Sequence, residues 1–528
     1  MNGFCMPSFF MLLFREENLT SLPLFVFLGY DRELLVIDYF RLAGKPMDWI
    51  SYVVGFVFFL NFIFAGILIF LERKDASSTW AWLMVLFFIP LAGFALYLLL
   101  GRQLNKKRLF NWEGHSRVGI QQLIHYQIEA IHNKEFVFKS KEAEKLQDLI
   151  FMHLYNNDAV LTQDNEVEII VDGQHKFETL FKDIEDAKDH IHLQTYILRR
   201  DDLGSRLLSL LIKKAKAGIK VRILYDDMGS RGMNKRFFRD LRAAGGEIEA
   251  FFPSKVPLIN PRLNFRNHRK LIIIDGRIGY IGGFNVGDEY LGIDKRFGYW
   301  RDTHLRVEGS AVHPIQTRFI LDWNQASYRY DINYSDEYFP PIPLKGEVAM
   351  QIVSSGPDSE WEQIKNGYIK LITGAKKYIY IQTPYFIPDE SLLDSLRIAA
   401  LSGVDVRIMI PNKPDHMFVY WATYSYVGEL MKAGARIYIY ENGFIHAKTL
   451  VTDDTAASVG TANIDLRSFS LNFEVNAFIY HQETATNLCQ IFIEDMELST
   501  ELTPELYQKR SLYIRFKESI SRLLSPIL

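Results

Sequence analysis

Two stretches of the sequence, His268-Arg-Lys-Leu-Ile-Ile-Ile-Asp275 and His446-Ala-Lys-Thr-Leu-Val-Thr-Asp453, share the pattern His-x-Lys-(x)4-Asp. Each is followed, after six further residues, by a loop of small residues ending in asparagine: Gly282-Gly-Phe-Asn285 and Gly460-Thr-Ala-Asn463. A single His-x-Lys is a weak signal, because a lone histidine in an apolar strand is usually a packed or surface residue. The repeat predicts a duplicated catalytic half-site, with one imidazole and one ammonium from each half meeting around a phosphate.

The residues after each histidine favour a β-strand, and side chains at positions i and i+2 of a strand lie on one face. The histidine and lysine of each motif can therefore reach one ligand together. Asp275 and Asp453 stand at the strand ends, out of phase with that face, and tight-turn residues follow them. We expect these carboxylates to orient neighbouring groups or to balance charge, and not to carry protons at phosphorus.

Composition excludes several classes of protein. The net charge is −3, which gives no global sign of a nucleic-acid binder. Cys5 and Cys489 lie at opposite ends of the chain and form no disulfide or metal-ligand spacing. No carboxylate or Cys/His cluster has metal spacing either, so no metal ion is expected.

A membrane hairpin is predicted near the N-terminus. Trp49–Leu71 and Trp80–Leu100 contain no charged residue, and each can cross a hydrocarbon core of about 30 Å. Two buried core helices are the alternative, which is disfavoured because both segments are apolar on every face. Basic residues follow the second span, so the positive-inside tendency places the large C-terminal part in the cytoplasm; they are Arg102, Lys106, Lys107 and Arg108.

Matched segments surround the two motifs. Asp186–Tyr196 is similar to Gly374–Tyr385, and Gly218–Leu224 is similar to Gly403–Met409. Strands that alternate with helices imply two α/β units. The predicted organisation is an unassigned N-terminal extension (1–48), a transmembrane hairpin (49–100), a juxtamembrane basic linker (101–145), a first half (146–327), a linker (328–343), a second half (344–510) and a C-terminal amphipathic helix (511–528).

The C-terminal helix carries an apolar stripe at helical spacing, formed by Phe516, Ile520, Leu523, Leu524 and Ile527. Most such stripes dock on their own domain, and we expect the same here. Contact with a membrane surface is the alternative.

The paired motifs and their Gly-x-x-Asn loops resemble the phospholipase D superfamily. The hairpin sequence Leu71-Glu-Arg-Lys-Asp-Ala-Ser-Ser-Thr-Trp-Ala-Trp82, together with Trp300-Arg-Asp-Thr-His304 and Pro414-Asp-His416, narrows the resemblance to bacterial cardiolipin synthase. The likeness extends from about Trp49 to the C-terminus.

The resemblance implies two duplicated phospholipase D-like α/β sandwich domains that form one pseudo-twofold active site. It implies transfer of a phosphatidyl group from one phosphatidylglycerol to another through a covalent phosphohistidine, with release of glycerol and without a metal, nucleotide or other cofactor. The enzyme would be a multi-pass protein of the bacterial cytoplasmic membrane. The motifs leave open a membrane-bound phospholipase D, or a phosphatidyltransferase that uses another alcohol.

The resemblance also assigns the site. Its catalytic trios map onto His268, Lys270 and Asp275, and onto His446, Lys448 and Asp453; Asn285 and Asn463 map to phosphate binding. Glu474, 28 positions after His446, matches an acid that orients the imidazole of that half. The same count from His268 reaches Arg296, so Asp302 is taken as the orienting acid of the first half. The resemblance also implies that the histidine of the first motif takes the phosphatidyl group. Glu474 beside His446 would favour an imidazolium there, so on both grounds His268 is predicted to be the nucleophile and His446 the acid.

Overall fold

A computed structural model describes residues 49–70, 76–89, 93, 97, 120–253, 264–327, 331–333, 335–343 and 346–525. The predicted N-terminal extension, 1–48, lies outside these residues. The chain divides into two compact units, residues 1–64 and 65–528.

Two helices, α1 (Trp49–Phe70) and α2 (Ala76–Phe88), occupy the region of the predicted hairpin. Helix α2 ends at Phe88, and most of the rest of the second predicted span, residues 90–92, 94–96 and 98–100, lies outside the described residues. Among the residues that the structure describes, no helix was found to be long and apolar enough to cross a membrane. The membrane-spanning hairpin therefore stays a prediction from the sequence.

The first half is a mixed sheet covered by helices, in the strand order β4-β3-β2-β6-β7-β8-β1. Strands β2, β3 and β4 run parallel, and the pairs from β2–β6 to β8–β1 are antiparallel. The central strand β2 is buried at every position, as expected where helices cover both faces. The elements are α3 (Ile120–His132), α4 (Lys141–Lys145), α5 (Gln147–Asn157), β1 (Thr162–Asp172), α6 (Gly173–Asp186), β2 (His190–Thr195), α7 (Asp202–Lys216), β3 (Lys220–Asp226), α8 (Arg239–Ala243), β4 (Glu247–Phe251), β5 (Arg266–Asn267), β6 (Leu271–Ile274), β7 (Ile278–Gly282), a 3-10 turn (Asp288–Leu291), β8 (Trp300–Glu308) and α9 (Val312–Ala326).

The second half repeats this order as β13-β12-β10-β15-β16-β18-β9, with β19 added beside β13. The duplicated α/β organisation is thereby confirmed. Its elements are β9 (Val348–Ser355), α10 (Gln363–Gly374), β10 (Tyr378–Gln382), β11 (Phe386–Ile387), α11 (Glu390–Leu401), β12 (Asp405–Pro411), α12 (Met417–Lys432), β13 (Arg436–Tyr440), β14 (Phe444–Ile445), β15 (Thr449–Thr452), β16 (Ala456–Gly460), β17 (Ile464–Asp465), α13 (Leu466–Ser470), β18 (Asn472–Ile479), α14 (Gln482–Glu497), β19 (Ser499–Glu501), α15 (Pro504–Gln508) and α16 (Leu512–Leu524).

Among the described residues, three strand pairings join the halves. The edge strands β1 and β9 pair antiparallel. The short strand β5 pairs parallel with β18, and the equivalent β14 pairs parallel with β8. Because β5 and β14 directly precede the two histidines, each motif lies against a strand of the opposite half.

The C-terminal helix α16 differs from the expectation that its apolar stripe docks on its own domain. Phe516, Ile520 and Leu523 are exposed and Leu524 is half-buried, whereas Glu518 and Ser521 are buried. Ile527 lies outside the described residues. The helix packs on α12 through its polar face. A stripe identifies one face of a helix, but it does not say which face the fold covers.

Candidate active site

Both motifs form the strands that their sequences predict. Strand β6 follows His268 and Lys270, and β15 follows His446 and Lys448. The His268 backbone N–H donates to the Phe473 carbonyl of β18, at 2.9 Å. The His446 N–H donates to the Arg301 carbonyl of β8, at 2.7 Å. Each histidine is thus fixed by the other half of the molecule.

The orienting acids are exchanged between the halves. His268 Nδ1 lies 3.0 Å from both carboxylate oxygens of Glu474, and His446 Nδ1 lies 2.6 Å from Oδ2 of Asp302. The expected pairing of Glu474 with His446, and of Asp302 with His268, is therefore wrong. The β5–β18 and β14–β8 pairings explain the exchange, because Glu474 and Asp302 each follow the residue that binds the backbone of the opposite motif.

Both acids are fully buried, and both remain ionised. Burial alone would raise the pKa of Glu474, but the interaction with His268, including its hydrogen bond, and the charge of Lys270 lower this pKa below its ordinary value. Burial likewise opposes ionisation of Asp302, and Lys448 and His446 reverse that effect on its pKa. Each histidine therefore faces a carboxylate that can hold its Nδ1 proton.

The two lysines are buried beside the histidines. Lys270 Nζ donates to the His268 carbonyl at 2.6 Å, and Lys448 Nζ lies 2.9 Å from His446 Nδ1 and donates to the His446 carbonyl. Burial lowers the pKa of Lys270 to about 7 and that of Lys448 to about 8. An anion at this point would hold both ammonium groups in the charged form.

The lysines of both halves lower the pKa of each histidine. Burial lowers the pKa of His268, and Lys270 and Lys448 lower it further against the opposing effect of Glu474. The pKa of His446 falls to about 4, through burial and then through Lys448, with Lys270 adding to the effect. The two half-sites therefore form one electrostatic unit, in which an empty site favours neutral imidazoles.

Asp275 and Asp453 lie away from this cluster, at the far ends of β6 and β15. The Asp275 carboxylate accepts backbone N–H groups from Lys188, Asp189 and His190, at 2.8 to 3.0 Å. Asp453 accepts the three equivalent N–H groups, from residues 376, 377 and 378, at 2.6 to 2.9 Å. Both residues have positive φ, of 54° and 56°, in the turns that the sequence predicts. Their contacts anchor the motif strand to the neighbouring strand, so in the structure they are positioning residues.

The two asparagine loops differ from each other. The side chain of Asn285 is used within the first half, because Nδ2 donates to Tyr290 and Oδ1 accepts from the Ile197 N–H, each at 3.0 Å. Asn463 has a buried Oδ1 with no hydrogen-bond partner in the described structure. Phosphate binding by these residues stays a prediction.

The loops also fit their acids differently. A Cβ at Gly283 would lie 1.9 Å from Oδ1 of Asp302, so only glycine allows this close approach. Thr461, at the matching position, instead donates its hydroxyl to Oε2 of Glu474 at 2.5 Å. The loops thus complete the support of the acids that orient the histidines.

Sequence reasoning missed a buried network behind each motif. Arg269 pairs with Asp322 at 2.6 Å, and Gln194 donates to the same carboxylate at 2.6 Å. In the second half, Asp495 accepts from Gln382 at 2.7 Å and pairs with an arginine at 2.8 Å. That arginine is Arg301, from the first half. The recurrence of glutamine in the matched strand segments was the available signal.

The cluster can perform displacement at phosphorus. A phosphodiester repels nucleophiles through its own charge, so it needs cations at its non-bridging oxygens, and the two lysines can provide them. Because Nδ1 of each histidine faces a carboxylate, Nε2 is the nitrogen left for attack or proton transfer. Within the described residues, no group of three or more His, Cys, Asp or Glu side chains is placed to hold a metal ion.

Comparisons with known proteins agree with this site. The family described as cardiolipin synthase, PLD-like domain matches residues 180–297 and 368–496, and the phospholipase D-nuclease N-terminal family matches residues 59–102. The major cardiolipin synthase ClsA of Bacillus subtilis is 62% identical over 90% of this chain and 99% of its own length. A cardiolipin synthase of Listeria monocytogenes is 61% identical over 91% of this chain and all of its own.

A solved structure shares the fold. The phosphatidylserine synthase of Haemophilus influenzae superposes with a TM-score of 0.54 at 15% identity, and the match covers 74% of this chain and 100% of that one. At this identity the likeness concerns the fold alone. The high identity to the two curated relatives, over almost their whole length, decides the family. The chain belongs to the bacterial cardiolipin synthases of the phospholipase D superfamily.

Proposed function

We propose that this protein makes cardiolipin from two molecules of phosphatidylglycerol, through a covalent phosphohistidine intermediate and without a metal ion. One observation carries the proposal. Two buried histidines, each with Nδ1 on a carboxylate of the opposite half, share one electrostatic site with two buried lysines. The relatives named cardiolipin synthase support the same reaction.

In the first step, Nε2 of one histidine attacks phosphorus and forms an N–P bond, while the P–O bond to glycerol breaks. The second histidine, protonated when the anionic phosphate binds, gives its proton to the leaving glycerol oxygen. Lys270 and Lys448 balance the phosphate charge. In the second step, the neutral second histidine removes the proton from the headgroup hydroxyl of another phosphatidylglycerol. That oxygen attacks phosphorus, the N–P bond breaks, and cardiolipin leaves.

The assignment of the nucleophile rests on the superfamily pattern, which favours His268. The second ground for it has disappeared, because Glu474 contacts His268 and not His446. Rapid quenching of each His→Ala variant with a substrate that carries an activated leaving group decides the question. We expect an adduct on His268 in His446→Ala and none in His268→Ala; an adduct on His446 in the second variant would reverse the roles.

The acceptor distinguishes this reaction from its alternatives. Water as acceptor would make the protein a phospholipase D, and another alcohol would make it a different phosphatidyltransferase. Purified protein incubated in detergent with phosphatidylglycerol alone should yield cardiolipin and glycerol. Phosphatidic acid as the main product would contradict the proposal, and competition by ethanolamine would reveal a broader acceptor range.

We also propose that residues 49–100 form a two-span anchor in the bacterial cytoplasmic membrane, with the catalytic part in the cytoplasm. The uncharged segments and the basic residues that follow them support this topology. A cysteine at Ser77, in a chain with Cys5→Ser and Cys489→Ala, should react with an impermeant thiol reagent on intact cells. A cysteine at Lys377 should react only after lysis, and equal labelling of both would exclude the topology.

A further inference from the structure

The C-terminal helix α16 exposes its apolar residues. We call Leu512, Tyr513, Phe516, Ile520 and Leu523 the C-terminal apolar face. All five are exposed, with 82% of Leu512 and 64% of Phe516 accessible. At 3.6 residues per turn they occupy about one third of the helix circumference. The solvent-facing side of this helix is therefore its apolar side.

The opposite side of α16 holds the helix on the protein through polar contacts. The Tyr426 hydroxyl of α12 lies 2.9 Å from the Ser525 hydroxyl, and Arg522 pairs with Glu429 of α12. Glu518 is buried and pairs with Arg510. A helix needs no exposed apolar face to make these contacts. Within the described residues, the packing thus leaves the C-terminal apolar face exposed.

Two basic residues of α16, Arg515 and Lys517, flank that face. Arg522 lies on the same side as Arg515, but Glu429 of α12 balances its charge. Glu518 is the only acid of α16, and it is buried. Apolar residues flanked by arginine and lysine are the pattern of helices that lie in the surface of an anionic membrane.

The C-terminal apolar face continues toward the active site. Lys517 Nζ lies 5.2 Å from the ring centroid of Trp421 on α12, and Met417 and Phe418 are exposed at the start of that helix. Asp415, just before α12, is close enough to raise the pKa of Lys448 against the effect of burial. One exposed surface therefore links α16 to the neighbourhood of a catalytic lysine.

We propose that the C-terminal apolar face docks on the surface of a bilayer that contains anionic phospholipid, and so holds the active site at the level of the lipid headgroups. The proposal concerns contact that is independent of the predicted hairpin. It rests on the proposed function only for the advantage that contact gives, which is access to lipid substrate.

A probe at the face tests the contact directly. The full chain, with Cys5→Ser and Cys489→Ala, receives one cysteine at Phe516, which is labelled with an environment-sensitive fluorophore and reconstituted into vesicles of phosphatidylglycerol and phosphatidylcholine. Ile398 on α11 is the matched control, because it is exposed to 63%. We expect lipids that carry a quencher near the headgroup to quench the Phe516 probe and not the Ile398 probe. Equal quenching at both sites overturns the proposal. A probe at Phe516 that is shielded from water but not quenched by the lipids also overturns it, because that result would indicate contact with a second copy of the chain.

Activity supplies a second readout. The triple variant Phe516→Ser/Ile520→Ser/Leu523→Ser should raise KM about tenfold on vesicles with a low fraction of phosphatidylglycerol. Its kcat on short-chain, monodisperse substrate should be unchanged. Ile398→Ser/Leu401→Ser should match the unmodified chain on both substrates, and equal behaviour of the two variants on vesicles contradicts the proposal. If the unmodified chain makes no cardiolipin, the proposed function fails, while the quenching result stands on its own.

Discussion

The two halves of the molecule repeat one sheet, but they contribute unequally to the buried network behind the site. The first half provides Arg269 and Arg301, where the second half has Ala447 and Phe473 at the matching positions. Arg269 pairs with Asp322 of its own half and donates to the Ser355 carbonyl of the second half. Arg301 crosses to Asp495 of the second half. Duplication preserved the reactive groups, whereas the two arginines of the buried network both come from the first half.

The largest expected effect tests the exchange of acids. Glu474→Gln and Asp302→Asn should each lower kcat by about 10²- to 10⁴-fold, because each leaves an imidazole with the wrong tautomer and orientation. The measurement is kcat on phosphatidylglycerol and on a substrate with an activated leaving group. Glu474→Gln should follow the pattern of His268→Ala, and Asp302→Asn that of His446→Ala, whichever histidine attacks. The opposite correspondence would show that the acids serve their own halves.

The next effect concerns the unequal arginines. Arg301→Met should lower the free energy of unfolding by about 3 to 5 kcal/mol, since it leaves a buried carboxylate uncompensated. Arg269→Met should cost less, because Asp322 keeps Arg318 at 2.8 Å. Thermal unfolding in detergent measures both. The double variant Arg301→Met/Asp495→Leu should recover most of the lost unfolding free energy, because it leaves no unpaired carboxylate. Arg436→Met is the exposed control and should cost no more than about 1 kcal/mol. Equal losses of unfolding free energy in Arg301→Met and Arg269→Met would contradict the expected difference between the two arginines.

The sequence predicted the duplication, the strands after each histidine and the two His-Lys pairs, because local spacing determines them. It could not predict the partner of each histidine. Glu474 reaches His268 across 206 positions of chain, and that contact depends on the pairing of β5 with β18. A count of 28 residues from His446 measures distance along the chain and contains no information on this pairing. The exposed side of α16 was missed for a similar reason, because it depends on which groups of α12 the helix meets.

A smaller effect concerns the pH dependence of activity that the two lysines should cause. Their ammonium groups are charged below the lowered pKa values, of about 7 for Lys270 and about 8 for Lys448, and lose charge as pH rises through them. We therefore expect kcat/KM to fall above pH 7 to 8. Bound phosphate raises both pKa values, so kcat should fall only at higher pH. Lys270→Arg and Lys448→Arg keep the charge at high pH.

Each arginine variant should move the alkaline limb of kcat/KM upward, even where the maximal rate is reduced. Lys377→Arg, at an exposed position, is the control and should leave the limb in place. An unchanged limb in both catalytic-site variants would assign the pH dependence to other groups.

Removal of metal ions should have no effect on activity, and it is the smallest of the expected effects. If the lysines of both halves balance the phosphate charge, exhaustive dialysis against EDTA should leave kcat unchanged. A loss of activity that a single divalent ion restores would contradict a mechanism based on two histidines and two lysines.

The exchange of Glu474 and Asp302 also has an evolutionary consequence. A substitution at Asp302 directly affects His446, which lies far downstream in the sequence. A substitution at Glu474 directly affects His268, which lies far upstream. After gene duplication one copy often loses its function while the other retains it. Here neither half can do so, because each holds the acid that orients the histidine of the other. Any ancestor that had a single half would have needed a second copy to complete its histidine, so selection would have acted on the pair from the beginning.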